Sequence, residues 1–181
     1  MGNGNTIHAK PAFYLLILLI TACNTTTVDV TPGKSVELAT AVDTTPGITG
    51  IGGIFFAAED PAGLLEWYGS NLGMVTDPYG AVFEFRNSNR PEEINYLRWS
   101  AFKKGSTYLS PSRQEMMINY RVRNIEGMVR NLKAAGVNVL DEIETYDYGK
   151  FVHILDPEGN KIELWEPVDE ALTALGGKTN R

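Results

Sequence analysis

The chain has 181 residues, 16 basic and 22 acidic side chains, a formal charge of −6 and 43% hydrophobic residues. A chain of about 150 residues buries roughly two thirds of its unfolded surface, so this length fills one core. The acidic balance, with no Lys/Arg run longer than Lys103-Lys104, excludes the electrostatic footprint of a nucleic-acid-binding protein. One cysteine with two histidines, His8 and His153, excludes an intramolecular disulfide and a Cys/His zinc site.

Residues 11–22 carry an apolar run, Phe13 to Ile20, preceded by Lys10. At about 12 residues the run is shorter than the roughly 20 a spanning helix needs, and the length suits a signal-peptide core. It ends in Ile20-Thr21-Ala22-Cys23, which resembles the bacterial lipobox. The resemblance implies that residues 1–22 are a lipoprotein signal peptide, that Cys23 is lipidated, and that the protein is exported and anchored to a bacterial membrane. Asn24 stands where an aspartate resembles an inner-membrane retention signal in enterobacterial lipoproteins, which favours the outer membrane. The alternative is a buried helix whose cysteine is a small hydrophobe. Residues 23–47, with Pro32-Gly33 and Pro46-Gly47 as breakers and no sustained period, read as a tether.

The rest of the chain repeats itself at an offset of 64 residues. Gly53-Ile54-Phe55-Phe56-Ala57-Ala58-Glu59-Asp60 reads as a strand ending at a helix N-cap, and Met117-Ile118-Asn119-Tyr120-Arg121-Val122-Arg123-Asn124 does the same. The spacing predicts one helix with Leu64, Trp67, Tyr68 and Leu72 as its apolar stripe and a second with Ile125, Met128, Val129 and Leu132; both stripes read as core. Gly73 and Gly136 close the helices. Strand-like runs follow: Met74 to Thr76, Ala81 to Arg86 and Tyr96 to Phe102, then Val137 to Glu144, Phe151 to Leu155 and Lys161 to Trp165. Asp156-Pro157-Glu158-Gly159-Asn160 reads as a turn.

Each half is therefore β-α-β-β-β. The expected fold is α+β, with paired βαβββ modules (48–110 and 115–167) forming a curved eight-stranded sheet, helices on the convex side and a pocket on the concave side. Residues 168–181 form a tail, with a short helix over 169–175 and fraying from Gly176. Tyr146, Asp147 and Tyr148 before Gly149 read as a flap over the pocket or as an irregular connection. Arg98, Lys103 and Lys104 beside a Ser-rich loop read as a solvated rim, with anion binding as the alternative.

Residues 48–167 resemble the vicinal oxygen chelate superfamily, which includes glyoxalase I, bleomycin-resistance proteins, fosfomycin-resistance enzymes and extradiol dioxygenases. The residues that carry the resemblance are Gly149 through Trp165, with the Asp-Pro-x-Gly-Asn turn and Glu163 beyond it, and Gly52-Gly53-Ile54-Phe55-Phe56 with Asp60-Pro61. In metal-using members the ligands occupy a first-strand and a fourth-strand position of each half. Carried over at the 64-residue offset, those positions are Gly53, Trp99, Met117 and Glu163. Glu163 alone suits a hard metal, so the resemblance implies a divalent ion only as an alternative and no cofactor otherwise.

Strand parity sends Ile118, Tyr120 and Val122 under the second helix and Met117, Asn119 and Arg121 into the concavity, where Phe55, Ala57, Phe151, His153, Leu155, Glu163 and Trp165 join them. The expected ligand-binding set is Phe55, Trp99, Asn119, Arg121, Phe151 and Trp165. His153 and Glu163 are the candidate catalytic pair, or else a buried ion pair that only orients. Three functions compete: a membrane-tethered module that binds a small molecule without metal; a metal-assisted lyase, isomerase or dioxygenase using Glu163 and His153 for proton transfer; and a structural or partner-binding domain with its pocket filled by its own aromatics.

Overall fold

The computed structural model describes residues 43–88 and 90–181. The expected signal peptide 1–22, Cys23 and the tether as far as residue 42 lie outside the described residues. Among the described residues no helix is long and apolar enough to cross a membrane.

Capping chemistry starts both long helices where the sequence places it. Strand β1 (Gly47–Ala58) leads to α1 (Pro61–Leu72); Asp60 accepts the Gly63 N–H at 3.2 Å, Pro61 holds the first helical position, and Gly73 ends the helix at φ 68°. Strand β5 (Met116–Arg123) leads to α2 (Ile125–Ala134), where Asn124, left-handed at φ 56°, accepts the Gly127 N–H at 3.0 Å. The remaining elements are β2 (Thr76–Asp77), β3 (Gly80–Arg86), β4 (Ile94–Lys103), β6 (Asn138–Val139), β7 (Glu144–Tyr146), β8 (Gly149–Leu155), β9 (Lys161–Pro167) and α3 (Asp169–Leu175).

The strands form one sheet in the order β2-β3-β4-β1-β5-β9-β8-β6, with β7 also paired to β8. The outer pairs β1–β4 and β5–β9 are parallel, and β1 and β5 meet antiparallel at the centre. Phe55 pairs with Met117 and Gly53 with Asn119 there, so a local twofold relates the two modules.

Three details differ from expectation. The run 137–144 is not one strand: β6 and β7 are separate, because between them the Asp141 carboxylate takes the His153 backbone N–H at 2.8 Å in place of a ladder carbonyl. On α1 the buried residue is Leu65, while Trp67 and Leu72 face outward; of the expected stripe Leu64 and Tyr68 are half-buried, Tyr68 against Trp99. The tail is not frayed. Asn180 bonds to Val82 and Glu84 on the free edge of β3, and its side-chain amide bridges Val75 and Val82.

The core is layered to match. Val122, Ile125, Val129, Val152, Ile154 and Leu164 pack between α2 and the sheet, and Phe56, Tyr68 and Trp99 do so under α1. On the opposite, concave face, Phe55, Leu109 and Met117 fill one end of the hollow. The other end is covered by α3, tied down by Arg121 to Asp169, Asn95 to Asp169 and Tyr96 to Thr173. What remains between them is the cavity.

Candidate functional site

Between these two fillings lies a cavity of about 370 Å³ on the concave face. Phe55, Asn119, Phe151, His153, Glu163 and Trp165 all line it, as strand parity predicts. Arg121 and Trp99 do not belong to its wall. Arg121 is buried with its guanidinium on Asp169 and the Tyr96 carbonyl, 5.1 Å from the Trp165 ring, so it ties down α3 instead of facing a ligand.

Trp99 is on the helix side because the two halves are not offset uniformly. Phe55 pairs with Ser100 and Asn119 with Glu163. The offset is 64 residues on β1 and β5 but 63 on β4 and β9, and a one-residue slip reverses a strand's faces. The residue equivalent to Glu163 is thus Ser100, and the four facing positions are Phe55, Ser100, Asn119 and Glu163. Gly53 and Met117 lie one register step away.

Glu163 is the hub of the site. It is 3% exposed, and Tyr108 donates its hydroxyl to Oε1 at 2.5 Å, Asn119 its amide to Oε2 at 2.5 Å, and His153 Nε2 lies 2.9 Å from Oε1. The other ring nitrogen, Nδ1, is 2.6 Å from Asp141. A carboxylate beside each ring nitrogen favours the protonated imidazole, which donates from both. Tyr108 comes from the loop joining the modules, where Lys161 anchors it by donating to its carbonyl at 2.7 Å. Aiming the Asn119 amide N–H at Glu163 leaves its Oδ1 buried without a partner, beside Gly52. Any side chain on Gly52 would collide there with Asn119, and with Trp165 at 2.6 Å and Arg121 at 2.9 Å.

Burial alone would raise the Glu163 pKa, but the hydrogen bonds from His153, Tyr108 and Asn119 hold it below the ordinary 4.5. Burial alone would lower the His153 pKa, but its bonds to Glu163 and Asp141 hold it above the ordinary 6.5. Burial, reinforced by the Glu163 charge, pushes Tyr108 up, so its phenol stays a donor. The His153 contribution to stability is complete below the unfolded pKa and lost as pH rises through the folded value; that of Glu163 is complete above its unfolded pKa and lost as pH falls through the folded one. Thermal melts should therefore peak between roughly pH 4.5 and 6.5 and decline as pH rises above that window, and His153→Gln should remove the alkaline decline.

The facing positions do not suit a divalent ion. Phe55 offers no donor atom, the Ser100 hydroxyl accepts from Arg98 Nε at 3.1 Å, Asn119 presents N–H to Glu163, and both Glu163 oxygens are engaged. Among the described residues no group of three His, Cys, Asp or Glu side chains could hold a metal ion.

Tyr108, Asp141, Glu144, Arg98 and Leu172 belong to the site and were not expected there. Arg98 lies inside the wall instead of on a solvated rim, paired to Asp77 by two bonds of 2.6 Å. Lys103 and Lys104 do lie outside, bonded to Glu59. Tyr146 and Tyr148 line the cavity from β7 and the turn before β8.

A duplicated βαβββ unit with its site on the concave face defines the class of protein, an α+β fold of the vicinal oxygen chelate type. A model of the glyoxalase-like domain matches residues 53–165, and the chain belongs to that family. Among solved structures it is similar to methylmalonyl-CoA epimerase from Streptomyces coelicolor in complex with 2-nitronate-propionyl-CoA (14% identity, TM-score 0.50, 67% of this chain and 99% of that one). It is also similar to methylmalonyl-CoA epimerase from Mycobacterium tuberculosis (21%, 0.46, 70% and 93%). A third is a glyoxalase/bleomycin resistance protein/dioxygenase superfamily member from Vibrio splendidus (12%, 0.40, 62% and 95%). At 14% identity the likeness to the Streptomyces coelicolor structure is one of fold alone. No curated protein matches the chain.

Proposed function

We propose that this glyoxalase-like protein binds a small molecule in its concave cavity without a metal centre, as an exported lipoprotein anchored through Cys23 to a bacterial membrane, the outer one by preference. The observation that carries the binding reading is the state of Glu163. Its carboxylate already accepts from Tyr108, Asn119 and His153, which leaves it neither a free base nor a free metal ligand. The cavity itself has the size and the mixed aromatic and polar lining of a ligand site. A thermal-shift screen of small molecules in the presence of a chelator tests this: stabilising compounds should be found, and Phe151→Ala should abolish their effect. Stabilisation that appears only with added divalent metal contradicts it. For the anchor, Cys23→Ala should abolish lipid labelling, and a labelled variant contradicts it.

One observation favours the proton-transfer part of the second reading, a metal-assisted lyase, isomerase or dioxygenase using Glu163 and His153. Asp141, His153 and Glu163 form a continuous chain from an exposed carboxylate to a buried one, along which a proton can pass.

A further inference from the structure

Resting on the small-molecule reading, the charges around the hollow narrow what it holds. The cations on the concave face are already engaged. Arg98 forks onto Asp77 and gives Nε to Ser100, Arg121 is held by Asp169 and the Tyr96 carbonyl, Lys161 donates to the Tyr108 carbonyl, and His153 lies between Asp141 and Glu163. An anionic ligand would have to share one of these cations with the partner it already has.

Glu144 is in the opposite position. It lines the cavity from the exposed strand β7, and among the described residues its carboxylate accepts one hydrogen bond, from the Tyr146 hydroxyl at 2.8 Å, and has no cation paired with it. It pairs across the ladder with Phe151, at a corner built from two stacked ring pairs. Tyr146 and Tyr148 lie 5.4 Å apart at 6°, Phe151 and Trp165 lie 5.8 Å apart at 7°, and the Tyr148 and Phe151 planes meet at 67°. Tyr146 and Tyr148 remain 46% and 38% exposed, which leaves ring surface for a ligand to cover. Ring faces carry negative quadrupole potential, so an aromatic corner beside an uncompensated carboxylate attracts a desolvated cation and disfavours an anion.

We propose that the ligand of this cavity is an organic ammonium: a small, largely apolar or aromatic amine whose charged nitrogen seats against Tyr146, Tyr148 and Phe151 with Glu144 as its counter-ion. Benzyltrimethylammonium, benzyl alcohol and phenylacetate, titrated separately into the full-length protein and followed by calorimetry, test it. The cation should bind at least about tenfold more tightly than the other two, and Glu144→Gln should weaken it about tenfold while leaving benzyl alcohol unchanged. Tyr148→Leu should weaken the cation more than the alcohol. Phenylacetate binding as tightly as the cation, or an unaltered cation affinity in Glu144→Gln, overturns the assignment. If benzyl alcohol or phenylacetate binds and the cation does not, the small-molecule reading stands and this one falls; if none of the three binds, both fall.

Discussion

Replacing Glu163 with leucine is expected to destabilise the protein by about 3–5 kcal/mol, the range for removing one partner of a buried ion pair. The carboxylate is 3% exposed and is the acceptor for Tyr108, Asn119 and His153 at once. Without it the Tyr108 hydroxyl and the Asn119 amide lose their acceptor in a closed space, each at a cost of about 1–3 kcal/mol if nothing replaces it. His153 keeps Asp141 and can lose its charge, which moderates the total. Thermal denaturation checks this, with an expected fall of roughly 10 °C for a domain of this size. A carboxylate kept for reactivity alone would behave differently, since removing a strained catalytic charge commonly stabilises the fold. A Glu163→Leu protein as stable as the parent would show that the hydrogen-bonded hub contributes nothing.

Replacing Arg121 with methionine should cost a similar amount, about 3–5 kcal/mol, and for a local reason. The guanidinium joins β5 to α3 through Asp169, bonds the Tyr96 carbonyl of β4, and lies over the Trp165 ring. Removing it leaves Asp169 partly buried without its cation, and Asp169 already has one oxygen unpartnered. Helix α3 buries no residue completely, so without Arg121 it is left with the Asn95–Asp169 and Tyr96–Thr173 hydrogen bonds. Hydrogen exchange should quicken over residues 169–175 in the variant, and Leu172 should leave the cavity wall. Arg121→Met combined with Asp169→Leu should recover much of the lost stability, because replacing a whole buried pair costs far less than breaking it. Unchanged exchange in α3 would contradict the role given to this pair.

The architecture was legible in the chain because its signals are local. Asp60, Pro61 and Gly73 start and stop α1 within a dozen residues, Asn124 caps α2, and alternation along β5 separates Val122 from Asn119 and Arg121. The same parity placed Phe151, His153, Glu163 and Trp165 together. The failures arose where a local rule was carried over a distance. Applying the 64-residue offset to β4 misplaced Trp99 by one residue, and in a strand one residue is the whole difference between a pocket wall and a helix contact. Tyr108 is 55 positions from Glu163, and nothing near it in sequence marks it as a partner. Asp141 was invisible because it interrupts the strand that the apolar run predicted. Arg121 was correctly placed on the concave face, but its partner sits on α3, beyond the repeat. Asn180 substitutes its amide for a strand partner, which composition alone does not reveal.

The proposed metal-free binding rests on the internal donors that hold Glu163. Titrating the full-length protein with Zn²⁺, Ni²⁺ and Co²⁺ by calorimetry, after removing bound metal with a chelator, addresses it most directly. No stoichiometric binding is expected with any of the three ions, and no change in melting temperature on their addition. One equivalent of ion per chain, lost in Glu163→Gln, would contradict it.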